Sequence, residues 1–271
     1  YKGDAIIKVD AHAVIPEDFV SKNVRVLETG EYICGGQRPN IIDKPTPFKE
    51  TLLLAESSMF GSSIASYRNN PGKTYVKSLF HAAYRREVFE KVGFFNEELV
   101  RTEDNEIHYR MRKAGYKLCF DPDIISYQYT RSSLKAMLKQ KYANGYWIGK
   151  TSKVCPKCLS IYHFVPFAFV SAIIASGSVI GATGLAECIK KRHNHTLGKG
   201  ISALRKVTVV LTTVMWVLYA LMASGMAAVS AFKAEDKRNI TNACLPVLFL
   251  LLHLSYGIGT IAGLMDKSKR G

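Results

Sequence analysis

The chain has 271 residues and a formal net charge of +15, and 48% of its residues are hydrophobic. This length accommodates one or two domains. A large basic excess is typical of proteins that meet nucleic acid, an anionic membrane surface or phosphate-bearing substrates. The apolar residues are concentrated in the second half, in three long stretches without charge. This distribution, and the lack of an aromatic–basic repeat or known module, argue against nucleic acid as a partner.

The first half alternates short apolar segments with helical patterns, as in an α/β layer fold. Strands are predicted over 5–9, 31–36 and 116–120, and helices over 16–27, 48–59 and 85–92. The strand at 5–9 is predicted to be buried. The residues Asp121-Pro122-Asp123 are predicted to form a turn. The Gly- and Ser-rich stretch 60–67 and the residues 69–72 are predicted to form a mobile loop, which either connects elements or closes over a substrate, with connection favoured.

The first predicted helix, over 16–27, has Phe19, Val20, Val24 and Leu27 as its predicted apolar stripe.

Asp10 and His12 follow the first predicted strand directly. In open α/β sheets, ligand groups gather at the carboxyl ends of strands. A carboxylate and an imidazole two residues apart could hold one divalent cation together. A turn with a solvated aspartate and an incidental histidine is the alternative, and the spacing alone favours it.

A short helix is predicted from the adjacent carboxylates Glu103 and Asp104 to a stop at Gly115. Thr102 is predicted to be its N-cap. Ile107 and Met111 share one face, and Glu106 and Arg110 are spaced to form an ion pair.

The carboxylates Glu103 and Asp104 have two possible roles at the start of that helix. The exposed N–H groups of a first turn favour the charged form of a carboxylate. A charged carboxylate fixed there can accept a proton from a substrate hydroxyl. Simple capping of the helix explains the pair equally well from the motif alone.

The segment 131–158 changes character and is predicted to be amphipathic and to lie on a membrane surface. Leu134, Met137 and Leu138 form its apolar face, and several lysines supply charge. Its aromatic residues Tyr142, Tyr146 and Trp147 suit a headgroup boundary. An ordinary surface helix is the alternative.

Three stretches, near 159–186, 207–232 and 240–265, contain no Asp, Glu, Lys or Arg, and each exceeds the roughly 20 residues needed to cross a bilayer. Three crossings are the favoured prediction. With a cytoplasmic first half, the basic loop 187–206 then lies outside, against the usual charge bias. Re-entry of the first stretch without crossing is the alternative. His253, in the third stretch, is predicted to make a packed polar contact, with a functional role left open.

Several segments together resemble the membrane-bound family 2 glycosyltransferases with a GT-A fold, most closely the succinoglycan-biosynthesis glucosyltransferase type. They are VDAHAVIPEDFV, SLFHAAYRREVFEKVGFFNEELVRTEDNEIHYRMRKAGYKL, RSSLKAMLKQKYANGYW and HLSYGIG. The resemblance implies an α/β fold in which 1–130 is the C-terminal portion of a GT-A domain. An interfacial segment, 131–158, and a transmembrane region, 159–271, follow it.

The resemblance also implies inverting transfer of a sugar from a nucleotide-diphosphate sugar. Asp104 matches the general base, and Asp10 and His12 stand at the family's Asp-x-Asp metal motif, with His in the third position. An imidazole suits Mn²⁺ better than Mg²⁺. Substrate binding is assigned by resemblance to Glu103, Arg131, Gln140 and Trp147. The last two lie in a loose match to the family's Gln-x-x-Arg-Trp stretch, which lacks its Arg, and a processive synthase is therefore disfavoured.

From these features we expect a UDP-sugar donor, a lipid-linked saccharide acceptor and contact with membrane lipids. The expected location is the inner cell membrane, multi-pass, with the catalytic part cytoplasmic. Only nine residues precede Asp10, so the nucleotide-binding half of a GT-A domain is expected to be missing and this polypeptide alone to be inactive. A non-catalytic membrane scaffold or transport component is the rival interpretation.

Overall fold

The structure is a computed structural model that describes residues 2–11, 13–61, 72–192, 198–234 and 239–268. Its strands are β1 (Ala5–Lys8), β2 (Ala13–Val14), β3 (Ile33–Gln37), β4 (Asn40–Ile41), β5 (Thr74–Val76), β6 (Ala82–Arg85), β7 (Leu118–Ile125) and β8 (Tyr127–Tyr129). Its helices are α1 (Phe19–Glu28), α2 (Pro47–Ser57), α3 (Arg86–Val92), α4 (Glu103–Lys113), α5 (Leu134–Val154), α6 (Val165–Arg192), α7 (Lys199–Lys233) and α8 (Leu245–Met265). The predicted mixed α/β unit followed by long apolar helices is confirmed.

The main sheet has the strand order β1-β6-β3-β7-β5, and a small sheet has the order β2-β8-β4. Strand β6 runs antiparallel to β1 and β3, whereas β3 and β7 are parallel. Lys8 and Gly35 both pair with Ala82, so the carboxyl ends of β1 and β3 lie beside the amino end of β6. Side chains that follow β1, β3 and β7 therefore meet those that precede β6 at one edge of the sheet.

Helices α3 and α4 cover one face of the main sheet through a buried apolar cluster, and α1 packs against the other face. Ile107 and Met111, predicted to share the inner face of α4, are fully buried. The predicted ion pair between Glu106 and Arg110 is also present, with Nε and Oε1 2.7 Å apart. Gly115, the predicted stop, follows the helix with a φ of +94°, which only glycine adopts at little cost.

The predicted apolar face of α1 is wrong in its middle. Phe19 and Leu27 are buried as predicted, but Val20 and Val24 are 51% and 41% exposed. Asn23 is buried in their place, and its amide donates to the Phe19 carbonyl at 2.8 Å. A buried amide that is satisfied within its own helix cannot be found from apolar periodicity.

The predicted turn at Asp121-Pro122-Asp123 is instead an irregularity inside β7. The register between β3 and β7 shifts between Gly35 and Gln37. Gly36 makes room for it, because a Cβ there would lie 2.0 Å from the Ile124 carbonyl oxygen. Strand β1, predicted to be buried, is only partly so, since it is the outer strand of the described sheet. Most of the predicted loop 60–72 lies outside the described residues.

Three helical segments are long and apolar enough to cross a membrane: Ile161–Arg192, Lys199–Lys233 and Ile240–Met265. They agree with the predicted spans. The predicted packed role of His253 is confirmed, because its Nδ1 lies 2.9 Å from the Tyr219 hydroxyl and its Nε2 lies 2.7 Å from the Phe60 carbonyl oxygen.

The segment predicted to be amphipathic forms α5, and its apolar residues Leu134, Met137 and Leu138 pack into a cluster with α2, α7 and α8. Tyr142 is exposed, as a residue at a headgroup boundary should be. Trp147 is only 8% exposed, so the prediction that it lies at such a boundary is wrong. Helix α8, which the sequence does not pair with α5, covers this part of the helix.

Helices α5 and α8 pack along one another through glycines. A Cβ added at Gly145 or at Gly263 would lie 2.0 Å from a carbonyl oxygen of the other helix. At Gly149 and Gly259 the corresponding distances are 2.6 and 2.1 Å. Small residues let helix backbones approach this closely, and the contact extends over most of both helices.

Candidate active site

The predicted carboxylate pair lies at the start of α4 and holds the side chain of Lys8, the last residue of β1. The Lys8 ammonium donates to Asp104 Oδ1 at 2.5 Å and to Glu103 Oε1 at 3.2 Å. These three side chains are 16% to 26% exposed. A cation between two carboxylates offsets their mutual repulsion. Lys8 therefore brings the start of α4 to the sheet edge at which Asp10 lies.

Burial raises the pKa of Asp104 to about 7; the charges of Glu103 and Asp10 act in the same direction, and Lys8 opposes them. Burial lowers the pKa of Lys8, but Asp104 and Glu103 outweigh it and the net shift is upward. Lys8 is therefore a permanent cation at neutral pH. A pKa near 7 leaves a substantial fraction of Asp104 ionised at neutral pH, and the ionised form is the one that acts as a general base.

Thr102 stands at the N-cap position of α4, as predicted, but its side chain does not cap the helix. Its backbone is left-handed, with φ +65° and ψ 7°, which costs a residue with a Cβ about 1–2 kcal/mol. The hydroxyl of Thr102 instead contacts the hydroxyl of Thr151 on α5. Beside it, Arg101 Nη1 donates to Asn144 Oδ1 at 2.9 Å. Helix α5 thus holds the residues that precede the carboxylates.

Asp10, the predicted metal ligand, faces His81, which precedes β6. Asp10 Oδ2 lies 3.9 Å from His81 Nε2, and His81 Nδ1 lies 2.8 Å from the hydroxyl of Ser126, which follows β7. A metal-binding histidine typically makes an orienting hydrogen bond through one ring nitrogen and faces the metal with the other. An Asp–His contact without a metal is the simpler alternative. The other predicted ligand, His12, lies outside the described residues. Within those residues, no group of three or more His, Cys, Asp or Glu is placed to hold an ion.

A buried histidine on the inner side of α4 ties this helix to the sheet. His108 Nε2 lies 2.8 Å from the Tyr84 hydroxyl, and Nδ1 lies 3.0 Å from the Ser78 hydroxyl. Burial, with the charges of Lys8 and Arg112, lowers the pKa of His108 to about 3. The ring is therefore neutral at physiological pH and acts as a support for α4.

The remaining predicted substrate-binding residues belong to α5 or precede it. Arg131 is half-buried between β8 and α5. Gln140 Oε1 is shielded from solvent and accepts no hydrogen bond within the described ranges. Trp147 is buried, edge-on to Tyr146, with ring centroids 5.8 Å apart. Gln140 and Trp147 thus lie on the helix that holds Thr102, and their role in substrate binding stays a prediction.

Sequence reasoning missed two residues of this site, Lys8 and His81. A weak signal existed for Lys8, which interrupts an apolar strand two residues before Asp10. No local signal marks His81, because its place beside Asp10 depends on the pairing of β1 with β6.

Lys8 contacts two carboxylates beside the carboxyl edge of a mixed sheet, and three helices long and apolar enough to cross a membrane follow in the chain. This combination indicates a membrane-associated protein with a polar site. The family model "Glycosyl transferase family group 2" matches residues 5–259, from β1 to the later turns of α8. The chain belongs to this family, and the resemblance seen in the sequence is confirmed.

Curated relatives agree with this family. The chain is 27% identical over 145 residues to the succinoglycan biosynthesis protein ExoA of Rhizobium meliloti, covering 52% of this chain and 43% of that protein. It is 29% identical over 133 residues to the O-antigen chain rhamnosyltransferase RfbN of Salmonella typhimurium, covering 47% and 42%.

A third relative comes from Methanococcus voltae. It is a dolichyl N-acetyl-alpha-D-glucosaminyl phosphate 3-beta-D-2,3-diacetamido-2,3-dideoxy-beta-D-glucuronosyltransferase, 24% identical over 180 residues, or 64% of this chain and 54% of that enzyme. The chain thus spans about half the length of the curated relatives it matches.

Proposed function

We propose that this chain carries the acceptor-activating site of an inverting glycosyltransferase. The enzyme would move a sugar from a nucleotide-diphosphate sugar, a UDP-sugar by preference, onto a lipid-linked saccharide during synthesis of an exopolysaccharide or other cell-surface glycan. The observation that carries the proposal is the Asp104 carboxylate at the start of α4, held 2.5 Å from the Lys8 ammonium at the sheet edge where Asp10 lies. The names of the relatives support the substrate class, since one names a dolichyl phosphate acceptor and another an O-antigen chain.

In this mechanism Asp104 accepts the proton of an acceptor hydroxyl while the hydroxyl oxygen attacks the anomeric carbon of the donor. The new carbon–oxygen bond forms on the face opposite the leaving diphosphate, so the anomeric configuration inverts. Lys8 fixes the direction of the Asp104 carboxylate, and Glu103 holds Lys8 and is available to acceptor hydroxyls. Positioned base catalysis contributes about 10²–10⁴-fold to rate in such reactions.

The family implies a divalent cation, Mn²⁺ or Mg²⁺, and the donor groups at the sheet edge fit one. Asp10 offers a carboxylate oxygen, and His81 offers an imidazole nitrogen 3.9 Å from it. A mixed oxygen and nitrogen donor set suits Mn²⁺ better than Mg²⁺. We assign the cation to Asp10 together with His81 or His12. Once bound, the cation neutralises charge on the leaving diphosphate.

On the acceptor side, we assign contacts with the lipid-linked saccharide to Glu103, Arg131, Gln140 and Trp147. The position of the last two on α5 supports this assignment, since α5 also packs against the apolar helix α8. The catalytic unit would then work at the cytoplasmic face of the inner membrane, beside lipids that carry the acceptor.

Membranes that contain the full-length protein to which this chain belongs, supplied with radiolabelled UDP-glucose, UDP-galactose or UDP-N-acetylglucosamine, test the proposal. We expect transfer of label from one of these donors into the lipid extract, loss with EDTA and recovery with Mn²⁺. Asp10→Asn should weaken Mn²⁺ binding at least about tenfold, measured by electron paramagnetic resonance without any substrate. Label that stays in the aqueous phase with every donor, together with unchanged Mn²⁺ binding by Asp10→Asn, would favour the scaffold interpretation.

Lys8→Met is expected to move the acid limb of the pH–rate profile to higher pH. Lys8 lowers the pKa of Asp104, so removing the cation raises that pKa, and a higher pH is needed to form the base. An opposite charge in contact is worth about one pH unit or more. The rate should therefore fall most below neutrality and recover in alkaline buffer.

Lys8→Arg is the matched control for this experiment, because it keeps a cation at the site. Its acid limb should stay near the wild-type position. A Lys8→Met profile that is lowered equally at all pH values would contradict the assignment, since it would indicate loss of structure and not a change in the base.

A further inference from the structure

The third apolar helix has a different environment from the other two. By length and composition α6, α7 and α8 could each cross a bilayer. Only 6% of the most apolar window is buried within the protein in α6 and in α7, but 39% is buried in the window that contains α8. Most residues of α6 and α7 are thus at least partly exposed, as in lipid-exposed helices. A larger share of the residues of α8 is buried against the rest of the described chain.

The beginning of α8 is attached to the α/β unit through α2. The Thr51 hydroxyl donates to the side-chain oxygen of Asn242, just before α8, at 2.7 Å. Leu52 of α2 and Leu245 of α8 are both fully buried in one apolar cluster. This end also follows α7 after a short connection, so it lies at the membrane boundary where α7 ends.

The far end of α8 is attached to the same unit through α5. Asp266 accepts a hydrogen bond from the Tyr146 hydroxyl, and its carboxylate lies 3.4 Å from the Lys150 ammonium. Next to Lys150 on α5, Thr151 contacts Thr102, directly before the carboxylates Glu103 and Asp104. Both ends of α8 are therefore held on the side of the active site. A helix that crossed the bilayer would place its ends on opposite sides.

The charges on α5 also argue against an α8 that crosses the bilayer. Helix α5 runs beside α8, and the contacts from Met137 to Gly149 extend for about 18 Å at 1.5 Å per residue. Lys135 and Lys139 of α5 are exposed. If α8 stood upright across the bilayer, α5 would stand beside it and carry these ammonium groups into hydrocarbon, where charges are strongly disfavoured.

The outward side of α8 is a narrow apolar strip. Val247, Ile258 and Met265 are 58%, 49% and 73% exposed. At about 100° per residue, these positions fall within about 20° of one another around the helix. An apolar strip along one side, with the other side packed on a folded unit, is the pattern of a helix that lies in the plane of a membrane interface.

We infer that only α6 and α7 cross the membrane, and that α8 lies with α5 along the membrane surface on the side of the active site. The strip Val247, Ile258 and Met265 then enters the acyl boundary of the bilayer. Lys267 and Ser268, which follow Asp266, then lie on the side of the α/β unit. Helices α5 and α8 then lie between Asp104 and the bilayer. A lipid-linked acceptor can reach Asp104 there while its lipid stays in the bilayer. The topology itself does not depend on the proposed function.

Single reporter cysteines test the topology in intact cells. Cys155, Cys188 and Cys244 are replaced by Ser, and one cysteine is introduced by Glu97→Cys in the α/β unit, Gly198→Cys before α7 or Ser268→Cys after α8. A membrane-impermeant maleimide is applied before and after permeabilisation. We expect positions 97 and 268 to be protected until permeabilisation and position 198 to react at once.

Each other labelling pattern has a definite meaning. Three crossings make position 268 react like 198 and unlike 97, and re-entry of α6 makes all three react alike; either result would overturn the inference. If 97 and 268 react at once and 198 is protected, the arrangement of α8 stands. That outcome would instead contradict the cytoplasmic placement in the proposed function.

Depth measurements with nitroxide labels at Val247, Ile258 and Met265, in protein reconstituted into phosphatidylcholine–phosphatidylglycerol vesicles, provide a second test. The three labels should lie at one depth, within about 3 Å. In an upright helix the 11-residue step from 247 to 258 corresponds to about 17 Å. Labels at Val210, Val217 and Leu221 of α7 form the control, which should show a graded depth. Graded depth in α8 as well would refute the inference.

Discussion

Asp104→Asn is expected to lower the rate of sugar transfer by about 10³-fold while the protein stays folded. The asparagine amide cannot take up the acceptor proton, but its oxygen can still accept the hydrogen bond from Lys8 that is seen at 2.5 Å in the wild type. The start of α4 should therefore keep its position. The substitution should lower kcat and not donor binding, because donor binding is assigned to Asp10 and its cation.

The pH dependence of the wild type adds a second measurement of the same group. The folded-state pKa of Asp104, about 7, is above the usual value of 3.8. The ionised base is therefore lost as pH falls through 7, and the rate should fall tenfold for each unit below that value. Because the shift is upward, ionisation of this group opposes folding, and protonation at mildly acidic pH should stabilise the protein slightly.

Asp123→Asn is the matched control, since Asp123 is an exposed carboxylate on β7. It should leave the transfer rate within about twofold of the wild type. Thermal unfolding followed by circular dichroism shows whether each variant is folded. If Asp104→Asn were folded and transferred sugar at the wild-type rate, the base would have to be another group.

Gly263→Ala is expected to lower the free energy of unfolding by about 3 kcal/mol or more. The added Cβ would lie 2.0 Å from the Tyr146 carbonyl oxygen and 2.8 Å from its carbon. Backbone atoms of a helix cannot rotate away as a side chain can, so α5 and α8 must separate. Because α5 also holds Thr102, molecules that remain folded should transfer sugar more slowly.

The control for this substitution is Gly225→Ala in α7. Nothing lies within 4 Å of a Cβ added there, and replacing a helical glycine by alanine gains about 0.5–1 kcal/mol. Thermal unfolding of both variants in detergent, monitored by size-exclusion chromatography, gives the comparison. Equal stability of the two variants would contradict close packing of α5 and α8 through Gly263.

Local periodicity predicts the features that depend on neighbours in sequence. The inner face of α4, with Ile107 and Met111, its ion pair and its stop at Gly115 are all of this kind, because a helix brings residues three or four apart together. The predicted N-cap Thr102 fails for the opposite reason. Its hydroxyl meets Thr151, 49 residues away, and no local rule describes that contact.

The same distinction between local pattern and long-range packing explains which residues of the candidate site the sequence predicts. Asp10 and Asp104 are predicted from the sequence by the family's motif positions. Lys8 and His81 are not, because the pairing of β1 with β6 and the docking of α4 bring them to these carboxylates. The pKa of Asp104 is likewise set by burial and by charges from other elements, so composition could not indicate it.

The sequence by itself determined the family, the α/β unit, the carboxylates of the site and the presence of three apolar helices, since these follow from local pattern and residue chemistry. Only the tertiary structure decided how Lys8 and Thr102 position Asp104 and which helices are free to face lipid. The physical reason is that hydropathy measures the preference of a segment for an apolar environment. Packing partners decide whether lipid or the rest of the protein provides that environment, and for α8 much of it comes from α5, α2 and the glycines between the helices.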